Sequence, residues 1–133
     1  MIKLFLSVLF WGTFSALPAK LNVVVKDVKV GKGSVVLEVY DSEKNFLKNP
    51  VARQTVKAGS QALEFSFDLP EGNYAIAIYQ DVNDNKKLDK GWFGIPTEPY
   101  GLSNNFRPKF SAPSFNDCKF KIAQQTTTTI LLK

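Results

Sequence analysis

Between residues 79 and 105 the chain carries side chains whose types and spacing suit cation coordination. Asp81, Asn83, Asn85 and Asp89 stand two, two and four positions apart. Calcium takes roughly six to eight oxygen ligands at about 2.3–2.6 Å in a flexible cage. Asp or Asn at alternate positions of a turn directs successive side-chain oxygens towards one centre. The main-chain carbonyl of Lys87 falls where helix–loop calcium sites use a backbone ligand, and Leu88 is apolar where such loops dip into a core. Glu98 is the acidic residue that would add charge by folding back. Two positions run against the pattern: Lys86 stands where such loops place glycine, and Trp92 where they place a bidentate glutamate. A metal-free reading stays open, in which the Asn and Asp side chains cap their own backbone.

The second half of the stretch mixes aromatics with Gly and Pro. Trp92, Phe93 and Tyr100, with Asn104, are candidates for a stacking surface that takes a glycan or a protein segment. The competing reading is that they cover one end of the fold, the usual role of large aromatics.

The elements that must position this loop are strands. Ser34 to Tyr40 and Ala62 to Leu69 alternate apolar and polar residues with period two, the mark of half-buried strands. Asn73 to Gln80 is apolar on both faces, as a central strand requires, with alanines small enough for close packing on one side. The long loop leaves from its end. Further strands are predicted at Leu21 to Val30, Val51 to Lys57, Asp117 to Ala123 and Thr126 to Leu132. The count of about seven strands, with turn signals between them and no helix, predicts one all-β domain, an immunoglobulin-like or transthyretin-like sandwich with one long loop. Eleven phenylalanines suit its core.

The start of the chain reads differently. Lys3 precedes an apolar run from Leu4 to Phe14, followed by Ser15, Ala16, Leu17, Pro18 and Ala19. This is the layout of a secretory signal peptide, too short for a transmembrane helix. The expected boundary follows Ala19, leaving 20–133 as the domain, exported to the periplasm or beyond the cell. An uncleaved anchor is the alternative. After cleavage the chain is expected to be a monomer and not an integral membrane protein.

Composition narrows the chemistry. With no histidine, Ser-His-Asp and Cys-His nucleophile systems are absent. One cysteine, Cys118, precludes an intramolecular disulfide and a cysteine-rich zinc site, and its alternating neighbours place it on an apolar face. The formal charge of +5 is spread over scattered lysines without a basic run, so no nucleic-acid partner is expected.

Four stretches resemble a known family. Pro70-Glu-Gly-Asn-Tyr-Ala, the Asp-x-Asn-x-Asn-x-x-x-Asp loop ending at Asp89, Gly94-Ile-Pro-Thr-Glu-Pro-Tyr-Gly-Leu-Ser-Asn104 and Pro113-Ser-Phe-Asn-Asp-Cys-Lys-Phe120 resemble the bacterial family catalogued as domain of unknown function 2141. The resemblance extends over Leu21 to Lys133. It implies an exported β-sandwich and carries no assigned activity. The chain departs from the pattern at Gln80, where many members of that family have His, and at Lys86, where many have Gly.

Together these features point to an exported, non-catalytic binding or structural module of the cell envelope, with calcium as the candidate cofactor. Its candidate ligands are Asp81, Asn83, Asn85, the Lys87 carbonyl, Asp89 and Glu98. Two alternatives remain open. One is a small carboxylate-dependent hydrolase acting on glycans through Asp81 or Asp89 with Glu98. The other is a transthyretin-like subunit that self-assembles through the edge strand Val51 to Lys57.

Overall fold

The computed structural model describes residues 17–88 and 96–133 of the chain. They form a two-sheet sandwich of eight strands: β1 (Pro18–Lys26), β2 (Ser34–Tyr40), β3 (Ala52–Lys57), β4 (Leu63–Pro70), β5 (Gly72–Asp81), β6 (Tyr100–Leu102), β7 (Phe120–Ile122) and β8 (Gln125–Leu131). One sheet has the order β4-β1-β8; the other runs β3-β2-β5-β6, with β7 sharing the free edge of β5. The predicted sandwich is therefore present, and the residues expected at an edge form β3, the end strand of the larger sheet.

Alternation explains the layers. Leu21, Val23 and Val25 of β1, Val35, Leu37 and Val39 of β2, Phe65 and Phe67 of β4, and Ile76 and Ile78 of β5 share one buried core. Each such side chain contributes about 1.5–3 kcal/mol relative to exposure. The outer face of β5 is covered as well. Ala75 packs with Tyr40, Phe46, Leu102 and Cys118, and Phe106 and Phe115 lean on the same cluster. The small alanines admit these aromatics, as expected for a central strand.

Three local outcomes differ from the strand pattern. The first strand starts at Pro18 and ends at Lys26, earlier at both ends than predicted. Pro18 pairs with Pro70 and Ala19 with Leu69, so both residues ahead of the expected leader boundary belong to β1. The alternation through Cys118 is broken by one helical turn, α1 (Phe115–Cys118). Ser114 starts it with a capping box: its hydroxyl accepts from Asp117 N, and the Asp117 carboxylate accepts from Ser114 N. Finally, β8 runs parallel to β1, from Lys20↔Gln125 to Lys26↔Leu131.

The two sheets meet along a seam. Lys133 and Tyr100 exchange both main-chain hydrogen bonds, at 3.0 and 3.1 Å, while Leu132 N donates to Lys26 O at 3.0 Å. The tail of β8 thus binds β1 on one side and β6 on the other. Gly101 permits this approach, because a Cβ there would lie 2.7 Å from Leu131 O and 2.8 Å from Ile130 Cγ2.

Candidate functional site

The loop springs from the last residue of β5. Tyr79 pairs with Tyr100, and one step on Gln80 N donates to Pro99 O at 2.9 Å. This continuation of the ladder brings the returning strand, with Glu98, beside Asp81. Both carboxylates are buried, Asp81 at 3% and Glu98 at 8% exposure.

Each carboxylate holds the loop backbone. Asp81 Oδ1 accepts from Asn85 N at 3.2 Å and Oδ2 from Lys86 N at 2.7 Å. Glu98 Oε2 accepts from Val82 N at 2.7 Å. Asn83 Oδ1 accepts from Asn85 N, and Asn85 Oδ1 from Lys87 N, each side chain capping the amide two residues on. The turn is therefore built by the residues singled out for spacing, through the self-capping that the metal-free reading anticipates. A carboxylate offers about four lone-pair directions. The hydrogen bonds above use one on each Asp81 oxygen.

The backbone at position 86 has the conformation for which glycine is suited. Lys86 has φ 63 and Asp84 φ 52, both in the left-handed region. Glycine adopts that conformation without steric cost. Here the Lys86 N–H bond to Asp81 holds a lysine in it.

Asp84 anchors the loop sideways. It accepts from Ser34 Oγ at 3.1 Å and pairs with Lys57 Nζ at 3.5 Å, joining the loop to β2 and β3. Below it, Gly33 (φ 63) lies against the carbonyls of Asp81 and Val82, and a Cβ there would fall 1.8 Å from Asp81 O.

Gln80 is fully buried beneath the site. Its Oε1 accepts from Lys29 N at 2.9 Å, and its Nε2 donates to Lys29 O and Lys32 O, both at 2.7 Å. The carboxamide thus fastens the 29–32 turn to the end of β5. Its burial follows from the inward phase of Ile76 and Ile78, four and two residues earlier, which sequence alternation already contained.

The other predicted residues divide into two groups. Asp89, Trp92 and Phe93 lie outside the described residues. Tyr100 and Asn104 belong to a structural staple. The Arg107 guanidinium stacks on the Tyr100 ring at 4.1 Å and donates to Tyr100 O at 2.9 Å. Asn104 Nδ2 donates to Lys119 O at 3.0 Å. Ser103, which sequence reasoning passed over, is fully buried; its Oγ accepts from Ile76 N at 2.9 Å and donates to Cys118 O at 2.5 Å. Asn105 then stands in for a missing strand at the edge of β8. Its Nδ2 donates to Thr129 O at 3.2 Å, and its Oδ1 accepts from Leu131 N at 2.9 Å.

A cleft of about 380 Å³ opens beside Glu98, lined by Asp27, Lys29, Tyr100, Arg107 and Lys133 among others. A larger hollow of about 540 Å³ lies near Pro18 and Pro70, at the opposite end of β5 from the loop. Among the described residues, no group of three or more Asp, Glu or Cys side chains converges on one point. Nor, among them, is any helix long and apolar enough to cross a membrane.

Searches against curated proteins and against solved structures each gave no match. Residues 23–130 match the profile of a family described as uncharacterised proteins conserved in bacteria, and the chain belongs to that family, DUF2141.

Proposed function

We propose that this protein is an exported, non-catalytic β-sandwich module of the bacterial cell envelope whose long loop is ordered by calcium. The observation that supports calcium is the junction of Asp81 and Glu98. Two buried carboxylates flank one turn, and both already orient backbone from residues 82 to 86. Carboxylates at the two ends of one turn are the oxygen ligands that a calcium ion takes. The oxygens of Asn83 and Asn85 follow at the spacing that adds neutral ligands, the Lys87 carbonyl lies on the same turn, and Asp89 would complete the charge. The left-handed backbone at Lys86 supplies the bend that calcium loops usually take from glycine.

The non-catalytic reading draws on the same bonds. Asp81 and Glu98 accept from main-chain N–H groups of residues 82, 85 and 86, so both side chains serve to hold the turn. The ordered loop would then present its aromatic half, Trp92 and Phe93 included, to a glycan or protein of the envelope. Export is inferred from the signal-like run of residues 4–14.

Calorimetric titration with calcium tests the metal directly. One saturable site per chain, abolished in Asp81→Ala and weakened in Glu98→Gln, is expected. Heat indistinguishable from dilution would refute the reading and leave the loop a self-capped structural feature.

A further inference from the structure

The fold uses residues that lie ahead of the leader boundary expected after Ala19. Pro18 opens β1 opposite Pro70, and Ala19 pairs with Leu69. Ala19 is 6% exposed and belongs to the core shared by β1, β2, β4 and β5. Glu71 N donates to Leu17 O at 2.8 Å. A cut after Ala19 would remove that acceptor, leave Leu69 and Pro70 without their partners in β1, and open a gap where the Ala19 methyl sits. Residues 17–19 are built into the domain, which places the end of a discarded leader upstream of them.

The sequence offers one place for such a cut. A leader peptidase holds its substrate as an extended strand, so the side chains one and three places before the cut point to the same side. Both must be small, whereas the residue between them points away. Among the Gly, Ala, Ser and Thr residues of 12–19 this condition is met once. Ser15 has Thr13 two places before it, with Phe14 between them. At the same distance Gly12 has Phe10, Thr13 has Trp11, Ala16 has Phe14 and Ala19 has Leu17, all bulky. A cut after Ala19 would also put Pro18 inside the recognised triplet, where it has no N–H for strand pairing.

We propose that the leader is removed by hydrolysis between Ser15 and Ala16, so that the exported chain begins at Ala16 and keeps residues 16–19 at the head of its first strand. The inference rests on the export reading given above. Water adds across the Ser15–Ala16 amide; the leader departs with a new carboxylate on Ser15, and the domain gains an ammonium on Ala16. That bond lies outside the described residues. The new ammonium adjoins Leu17, which is exposed, so it enters water without disturbing the Leu17 O bond to Glu71 N.

The test expresses the full chain, leader included, in a bacterium and reads the N-terminal sequence and intact mass of the product. The product should begin at Ala16. Ser15→Leu and Thr13→Phe, which fill the two small positions, should each abolish that start, whereas Phe14→Leu should leave it unchanged. All three substitutions lie ahead of β1, so they alter the cut and not the sandwich. An exported product that begins at Lys20 or at any other residue would overturn the cut and leave the export reading standing. So would an Ala16 start that survives both Ser15→Leu and Thr13→Phe. A chain that keeps Met1 and stays in the cytosol would overturn both.

Discussion

Glu98 Oε2 accepts the hydrogen of Val82 N at 2.7 Å, so the residue that ends the long loop holds the residue that begins it. The contact spans sixteen positions and lies against buried Asp81. Glu98→Ala would leave the Val82 N–H without this partner at a half-buried position. A loss of about 1–3 kcal/mol is expected from urea unfolding. Glu98→Gln retains an acceptor oxygen and should lose less. Equal stability of all three proteins would show that the bond does not fasten the loop.

Gly33 is the closest backbone approach to the site. Gly33→Ala would put a Cβ 1.8 Å from Asp81 O and impose a positive φ on alanine. Left-handed strain and overpacking together predict a loss of at least about 2 kcal/mol. Amide exchange should rise first around residues 81 and 82, because the displaced carbonyl belongs to Asp81. Wild-type exchange there would refute the contact.

The staple formed by residues 103 to 105 gives a graded pair. Ser103→Ala removes a fully buried hydroxyl serving two main-chain groups, Ile76 N and Cys118 O. A loss of about 2–3 kcal/mol is expected. Asn105→Ala uncovers an edge that water reaches, so about 0.5–1.5 kcal/mol is expected there. A reversed order in chemical denaturation would contradict the burial assigned to Ser103.

These comparisons show what was legible in the residues. Strand phase could be read from Leu63, Phe65 and Phe67, and from the two apolar faces of β5, because burial follows alternation directly. The loop's turn could be read from Asp81, Asn83 and Asn85, because Asx side chains act on amides two to five positions away. Asp84–Lys57, Ser103–Cys118 and Asn105–Leu131 could not, because their partners lie 27, 15 and 26 positions distant and depend on how the sheets close. The helical turn at Phe115–Cys118 was masked by the alternation of Cys118, Phe120 and Ile122, although Ser114 and Asp117 already spelled its capping box.

Alkaline pH should destabilise the fold in two steps. Burial pushes the Cys118 thiol up from 9.0 to about 11. Burial also holds Tyr40, Tyr74 and Tyr79 above the usual 10.0, and for Tyr40 the bond to Glu38 adds to it. Each folded value exceeds the unfolded one, so these groups contribute their full stability below the unfolded values. That contribution falls as pH rises past 9.0 for Cys118 and past 10.0 for the tyrosines. Urea midpoints taken from about pH 8 upward should decline accordingly, and Cys118→Ala should remove the first step. A midpoint constant to about pH 11 would contradict the burial of all four groups.

The claim that calcium orders the loop is tested most directly by thermal melts of the full chain in EDTA, in millimolar calcium and in millimolar magnesium. A ligand at about a hundred times its dissociation constant stabilises the folded state by about 2.7 kcal/mol. The expected result is a rise of several degrees with calcium, little with magnesium, and none in Asp81→Ala/Asp89→Ala. Identical melting temperatures in EDTA and calcium would contradict it.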